Sequence, residues 1–431
     1  AGFGALTMLR LAAGEVSRVF KIGAGYGTIG VTPSLGRVAI GHLIGLATGM
    51  AMLAGLVLGK FILLPMLSAG LPGVPEEVAA TVFSQQVRIV GAGAMAVAAL
   101  WALVRISGSI LGGLSGLVAT ARARKAGEEI RQTERDLPGH WVLGVGAAMF
   151  GPILYLVWSF VQGGPLADHA VAVLVLALIF IVVVGIFTAV ITGYMAGLVG
   201  TSNSPVSGVG ILAILIASVL VGAMFGGSVT PDLRAPLIAF ALFLVSFVFG
   251  IAIVANDNLQ DLKTGQLVGS TPWKQQVALI IGVIAGSLVL PPVLQLLATS
   301  FGFAGAPGAG PNALAAPQAS LFATIAQGVL GGSMRWDLIW LGAAIGAVLI
   351  ALDEGLRKTG KGKLPPLAVA MGIYLPATLV LPAVIGAVIG HGWNRMASRT
   401  ARPEFTERMG VLLATGLVVG DSLMGLVFAG A

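Results

Sequence analysis

The sequence contains no cysteine, and charged residues make up only 10% of its 431 residues, where soluble domains carry about 25%. The lack of cysteine excludes disulfide bonds, thiolate catalysis and cysteine-based metal sites. The four histidines are scattered and give no metal site of their own. The sequence also lacks a P-loop and an H-E-x-x-H metalloprotease motif. We therefore predict no cofactor and no resident metal ion.

One short motif has the local form of a catalytic site. Gly113–Gly116 reads Gly-Leu-Ser-Gly, as in the nucleophile segment of intramembrane serine proteases. Glycine accounts for 63 residues, so such matches arise by chance, and no histidine stands in a convincing partner position. We predict that the protein is not an enzyme.

Apolar sequence dominates the chain: 57% of the residues are hydrophobic, and the mean hydropathy is +0.99. A transmembrane helix needs about 20 apolar residues, so a chain of this length has room for roughly ten crossings. We predict an all-α, multi-pass protein of the cell (inner or plasma) membrane, with residues 1–431 forming a single transmembrane domain. The predicted spans are 36–66, 87–118, 141–162, 171–199, 206–226, 235–254, 276–298, 337–352, 367–390 and 409–429.

The net charge of +7 needs no nucleic acid to explain it, because basic residues cluster in short loops, as the positive-inside rule expects. Loop 121–136 carries five of them and is predicted to be cytoplasmic, as are the lead-in 1–21 and the polar loop 255–275. We predict that 366–390 is re-entrant, because prolines interrupt it. The alternative is a simple crossing that is followed by a basic external loop.

Many glycines recur at four-residue spacing, which allows helix backbones to approach closely within a membrane. We predict close helix packing at most of them. The sets are Gly41/Gly45/Gly49, Gly108/Gly112/Gly116, Gly193/Gly197, Gly342/Gly346, Gly386/Gly390 and Gly416/Gly420.

The stretch Thr201–Pro205 interrupts a strongly apolar run with polar residues and proline. Irregular backbone at membrane depth is tolerated only beside a cavity or within protein, and broken helices mark substrate sites in secondary transporters. We predict that Ser202, Asn203 and Ser204 bind a solute, whose carboxylates would dock at the helix N-terminus after Ser204. Tyr194 lies about two helical turns earlier. Its side chain either lines the solute path or packs against neighbouring helices.

Four Ser/Thr-Pro pairs stand at ends of apolar runs and predict helix starts. They are Thr32-Pro33, Ser204-Pro205, Thr230-Pro231 and Thr271-Pro272. A Gly-x-x-Gly precedes two of them, at Gly27 and at Gly197. This recurrence predicts an internal repeat, although a glycine-rich sequence also produces such matches by chance.

The stretch Val254–Gln266 is unusually polar for this chain. Asn256 and Asn258 offer hydrogen-bond donors and acceptors for a substrate. Asp257 directly follows an apolar run, so we predict a role in proton coupling for it. Asp261 and Lys263 are predicted to be ordinary solvated side chains.

Asp421 lies inside the last apolar segment, where a charged side chain costs about 2.5–3.5 kcal/mol. Such a carboxylate must face a cavity, pair with a cation or stay protonated. We predict that it carries the coupling proton. An ion pair with a basic residue such as Arg105 is the alternative.

Four stretches together resemble the oligopeptide transporter (OPT) superfamily, and most closely its prokaryotic and yellow stripe-like branch. They are GYMAGLVGTSNSPVSGVGI (Gly193–Ile211), ANDNLQDLKTGQLVGSTPWKQQ (Ala255–Gln276), LPPLAVAMGIYLP (Leu364–Pro376) and GLVVGDSLMGL (Gly416–Leu426). Because members of the family are usually longer, the resemblance also implies that opening spans are missing ahead of Ala1.

The resemblance implies a secondary transporter that imports small peptides, or metals bound to amino-acid-derived chelators, together with protons. It assigns Ser202–Pro205 to the family's broken helix, Asn256 and Asp257 to a polar motif, and Asp421 to an acidic position in the last helix. The expected partners are the substrate, protons and lipid, with a homo-oligomer as a further alternative. The rival functions are an amino-acid or polyamine carrier and a passive channel.

Overall fold

The structure is a computed structural model, and it is dominated by helices that follow the apolar runs of the sequence. It describes residues 16–102, 104–105, 132–162, 164–199, 206–226, 230–303, 306, 313–314, 316–331, 335–360 and 362–430. The helices in these ranges are α1 Leu35–Ile44, α2 Leu46–Ser68, α3 Pro75–Ala102, α4 Gly139–Val161, α5 Ala170–Val199, α6 Val206–Phe225, α7 Pro231–Leu267, α8 Pro272–Ser300, α9 Pro317–Gly331, α10 Trp336–Lys358, α11 Pro366–Tyr374, α12 Ala377–Ala397 and α13 Pro403–Gly430.

Ten helices of the described ranges are long and apolar enough to cross a membrane, and each corresponds to one predicted span. The all-α, polytopic architecture is therefore confirmed. Several boundaries differ from the prediction. α3 begins at Pro75, whereas its span was predicted from residue 87. Gly45, with a φ of 79°, separates α1 from α2, where one span was predicted. α7 continues to Leu267, so the first half of the predicted loop 255–275 is helical and that prediction was wrong.

The proline-rich segment 366–390 forms two helices rather than one. α11 ends at Tyr374, Leu375 is extended, and α12 begins at Ala377. Proline 376 forces this break, because it lacks a backbone N–H and disfavours a helical residue before it. The interruption is thus confirmed, whereas the re-entrant path through a membrane stays a prediction.

The described residues group into two compact units. Unit 1 lies within Ala1–Ala98, Val293–Pro317 and Arg335–Ala431, and unit 2 within Ala99–Pro292 and Gln318–Met334. This division into packing units does not test the prediction that residues 1–431 form a single transmembrane transport domain.

Glycines hold the helices of unit 1 together. A Cβ atom on Gly41 of α1 would overlap the Ala383 carbonyl of α12, and one on Gly386 of α12 would overlap the Val38 carbonyl of α1. Gly342 of α10 approaches α3 in the same way. The predicted close packing is confirmed at these positions. It was wrong for α13, where Gly416 and Gly420 have open space where a Cβ would stand.

A β-hairpin precedes α1, where the sequence analysis predicted only a lead-in. β1 (Val16–Ile22) pairs antiparallel with β2 (Gly25–Val31) around a two-residue turn in which Gly23 has a φ of 58°. An isolated hairpin is marginally stable. This one is fixed to the end of α2, because the Tyr26 N–H donates to Ser68 Oγ at 2.9 Å.

The Ser/Thr-Pro pairs mark helix starts at two of the described sites, since α7 begins at Pro231 and α8 at Pro272. At α1 the prediction was two residues too early: the N-cap is Ser34, whose Oγ accepts a hydrogen bond from the Arg37 N–H.

The two Gly-x-x-Gly matches have different local structures. Gly27 lies in β2, whereas Gly197 lies in α5. They are therefore not structurally equivalent, and the local pattern from which the repeat was predicted was misleading. The second match continues into Thr201–Pro205, which lie outside the described residues.

Candidate functional site

The broken-helix motif lies between two described helices. α5 ends at Val199 and α6 begins at Val206. Ser202, Asn203 and Ser204 lie outside the described residues, so their roles in binding stay predictions.

Within unit 2, α5 packs directly on the helical turn of α7 that precedes the polar residues. Thr192 Oγ1 donates to the Ala252 carbonyl at 2.8 Å, which joins the two helices. One residue later, a Cβ on Gly193 would stand only 3.3 Å from the Ala255 carbonyl and would press on Leu259. This tight contact brings the end of α5 beside the polar turn of α7.

The polar turn contains a buried amide with an unused acceptor. Asn256 is only 6% exposed, and its Oδ1 atom has no hydrogen-bond partner among the described residues. Its Nδ2 group donates to Asp257 Oδ1 at 3.4 Å. A buried acceptor without a partner costs about 1–3 kcal/mol. Such a group points to a ligand that brings an N–H or O–H donor.

The other predicted residues near this turn are more accessible. Tyr194 and Asn258 are half-buried, and Asp257 is exposed. Asp261 and Lys263 are exposed on the same helix, as predicted for solvated side chains. Among these residues Asn256 alone is buried, and it is hydrogen-bonded to the exposed Asp257.

In unit 1, Asp421 of α13 meets the start of α1. Ser34 Oγ donates to Asp421 Oδ2 at 3.0 Å. The carboxylate also lies against Gly36, where a Cβ atom would collide with it. Since Ser34 caps α1, Asp421 stands at the positive end of the helix dipole.

Asp421 therefore combines a hydroxyl partner and a nearby helix N-terminus with a place on a helix that is apolar enough to cross a membrane. Its role in proton coupling stays a prediction.

The sequence analysis missed three buried charged residues. Lys60 of α2 is only 1% exposed, Arg88 of α3 is half-buried, and Asp353 of α10 is 1% exposed. The available signal was a single charged residue within an apolar run, as at Lys60 in the span Leu46–Ser68. Such residues are costly and are functional candidates by default.

Both carboxylate oxygens of Asp353 accept hydrogen bonds. Its Oδ2 accepts from Arg357 Nε at 2.6 Å, and its Oδ1 accepts from the Leu364 N–H at 2.8 Å. The carboxylate thereby ties the end of α10 to the segment before α11, which is a structural role.

The chain matches the family profile described as "OPT oligopeptide transporter protein" over residues 2–431. It is 37% identical over 420 residues to a Haemophilus influenzae protein named "Putative oligopeptide transporter", with 92% of this chain and 65% of that protein covered.

Two Arabidopsis thaliana proteins are also similar. They are named "Probable metal-nicotianamine transporter YSL5" and "Probable metal-nicotianamine transporter YSL8". Their identities to this chain are 29% and 30%, over 54% and 62% of its length and over 31% and 36% of theirs. The chain thus spans less than two thirds of the length of each of these three relatives.

The profile match covers nearly the whole chain, and it agrees with the ten apolar helices of a multi-pass protein of the cell membrane. The names of the relatives describe transport, in agreement with the prediction that the protein is not an enzyme. The resemblance predicted from the four sequence stretches is confirmed: the chain belongs to the OPT oligopeptide transporter family.

Proposed function

We propose that this protein is a proton-coupled secondary transporter that moves small oligopeptides or metal–chelate complexes across the cell membrane. Membership of the family and the names of its relatives support the substrate classes. The observation that carries the proton coupling is the position of Asp421. It is a carboxylate within an apolar span, held by a hydroxyl at a helix N-terminus.

Asp421 is the residue to which we assign the coupling proton. A proton bound there neutralises the side chain, and its release leaves an anion that Ser34 and α1 stabilise. Because Ser34 caps α1, a change in the charge of Asp421 acts directly on the start of that helix. Asp257 is the second candidate, since it is exposed beside the unused acceptor of Asn256.

The substrate residues are proposed to lie along the ends of α5 and α7. Asn256 Oδ1 accepts a hydrogen bond from the substrate, for example from a peptide N–H or an ammonium group. Tyr194 and Asn258 flank it, and Ser202, Asn203 and Ser204 would complete the binding site. A transported metal arrives inside its chelator, so the protein needs no metal ligands of its own.

Two long apolar helices expose their side chains, which favours contact with lipid. In the described part of the chain, the apolar stretch of α8 is not buried by other residues, and that of α4 is almost wholly exposed. Lipid tails, or a second copy of the chain in a homo-oligomer, would cover these faces.

Uptake by the full-length protein in proteoliposomes tests this proposal. With an acidic exterior, we expect accumulation of trialanine or iron–nicotianamine above equilibrium, and a protonophore should abolish it. A passive channel gives uptake that stops at equilibrium and ignores the protonophore. Stronger competition by free amino acids or polyamines than by peptides or chelates would favour the rival class of carrier.

A further inference from the structure

Two cations in unit 1 lie outside the site described so far. Lys60 of α2 is buried, Arg88 of α3 is half-buried, and both belong to apolar spans. Neither makes an ion pair with a carboxylate in the described part of the chain. Two like charges at membrane depth without a counter-ion are costly for the fold.

The ammonium of Lys60 is held by an aromatic ring instead of an anion. Its Nζ atom lies over Phe83, 2.7 Å from the ring centroid. A cation–π contact compensates only part of the lost hydration, because it is worth about 0.5–2 kcal/mol. The described residues thus offer this ammonium a ring face in place of a carboxylate.

The guanidinium of Arg88 is also incompletely satisfied. Nη2 donates to the Tyr374 hydroxyl at 2.5 Å, and the guanidinium carbon lies 4.4 Å from the centroid of the same ring. Its Nε atom is buried and has no hydrogen-bond partner among the described residues. In arginine, the Nε–H group and the neighbouring terminal nitrogen form a pair of donors that can bind a carboxylate through two parallel hydrogen bonds.

The backbone around these cations is irregular in a way that is frequent at functional sites. Both helices contain a π-helical segment here, Leu58–Leu63 around Lys60 and Phe83–Val87 immediately before Arg88. Gly59 lies close to the backbone of Ile373, and Gly91 lies close to that of Tyr374. The two cations thus converge on the end of α11, at the break before α12.

We infer that Lys60 and Arg88 form an anion subsite that binds a carboxylate of the transported solute. This inference rests on the proposed function, because peptides and amino-acid-derived chelators both carry carboxylates. The carboxylate replaces the ring of Phe83 as the partner of Lys60 and accepts from the free Nε of Arg88. Phe83 is half-buried, which leaves its ring room to move aside.

Ligand-induced thermal stabilisation of the full-length protein in detergent tests the subsite. The probes are trialanine, trialanine amide, which lacks the terminal carboxylate, and iron–nicotianamine. The variants are Lys60→Met and Arg88→Gln, with Arg88→Lys as the conservative change. Lys363→Met, which removes an exposed lysine of the same unit, is the matched control.

We expect trialanine or iron–nicotianamine to stabilise the wild-type protein and the control equally, and trialanine amide to bind far more weakly. Loss of one charge-assisted contact should weaken binding by about tenfold or more in Lys60→Met and Arg88→Gln. Arg88→Lys should recover part of the affinity. Without ligand, Lys60→Met should be at least as stable as the wild type, which a merely structural lysine would not allow.

Two results would overturn the inference. Equal binding of trialanine and its amide, together with unchanged affinities for both solutes in Lys60→Met, would remove the subsite while proton-driven uptake still supports transport. If neither solute binds to or is taken up by the wild type, the subsite and the proposed function both fail. Should Arg88→Gln not fold, Lys60→Met alone decides between these outcomes.

Discussion

Asp353 and Asp421 are two carboxylates in apolar helices of the same unit, and their surroundings differ in kind. Asp353 is buried and accepts both a cation and a backbone N–H. Asp421 is exposed and accepts from the hydroxyl of Ser34. The first carboxylate is held by a cation and a backbone N–H, whereas the second is held by a hydroxyl and is open to solvent. A carboxylate in an apolar helix is therefore judged better by its partners than by its position in the sequence.

The largest expected change in stability comes from Asp353→Asn. This substitution leaves Arg357 without its carboxylate and should cost about 3 kcal/mol of unfolding free energy. Chemical unfolding in detergent measures it. Asp337→Asn is the control, because its ion pair with Arg335 is more than half exposed, so that its loss should change the stability little. Equal losses in both variants would contradict the structural role of Asp353.

A smaller loss is expected from Gly386→Ala in α12. The added Cβ would collide with the Val38 carbonyl and displace α1, at a cost of about 1–3 kcal/mol. Because α1 carries Ser34, this change should weaken the Asp421 site and leave Asp353 intact. Gly392→Ala, on the same helix in open space, should be neutral or slightly stabilising. If Gly386→Ala is also neutral in thermal unfolding, the described contact between α1 and α12 is not formed.

Asn256→Ala extends the comparison to unit 2. Removing a buried acceptor that has no described partner relieves its cost of about 1–3 kcal/mol, so the variant should be no less stable than the wild type. The affinity for transported solute should fall by about tenfold, as one hydrogen bond to the substrate is lost. The KM of uptake measures this, with Asp261→Asn as a control on the exposed part of α7. A large loss of stability with an unchanged KM would make Asn256 a structural residue.

Ser34→Ala should affect the pH dependence of uptake more than the stability of the fold. The loss of the N-cap should cost about 1 kcal/mol, and Asp421 should lose its hydroxyl partner. Uptake at saturating substrate should then shift in its dependence on external pH. Ser34→Thr, which retains the hydroxyl, should restore the wild-type profile. An unchanged profile in Ser34→Ala would separate Ser34 from proton coupling.

Long apolar runs made the ten spans predictable from the sequence, because a membrane imposes a minimum length and composition on every crossing. Breaks at Gly45 and Pro376 follow from local backbone chemistry, and only the second was predicted. The hairpin was missed although a two-residue Gly-Ala turn separates two apolar strands. α7 extends to Leu267, and the polar residues after Val254 include no proline that would end the helix.

The site was less predictable than the fold. Asp421 could be found because a charge in an apolar run is conspicuous, yet its partner Ser34 is 387 residues away in the sequence. Lys60 and Arg88 carried the same signal, but only the structure shows that Lys60 lies over the ring of Phe83 and that Arg88 donates to the Tyr374 hydroxyl. Pairing across distant helices is a property of the packing, and one sequence does not reveal it.

Proton-driven uptake by Asp421→Asn tests the account most directly. We expect the variant to unfold at the wild-type temperature and to bind trialanine or iron–nicotianamine, but to lose accumulation driven by an acidic exterior. Asp257→Asn in parallel distinguishes the two candidate carboxylates and should retain most of that accumulation. Wild-type accumulation in proteoliposomes containing Asp421→Asn would contradict the assignment of the coupling proton to Asp421.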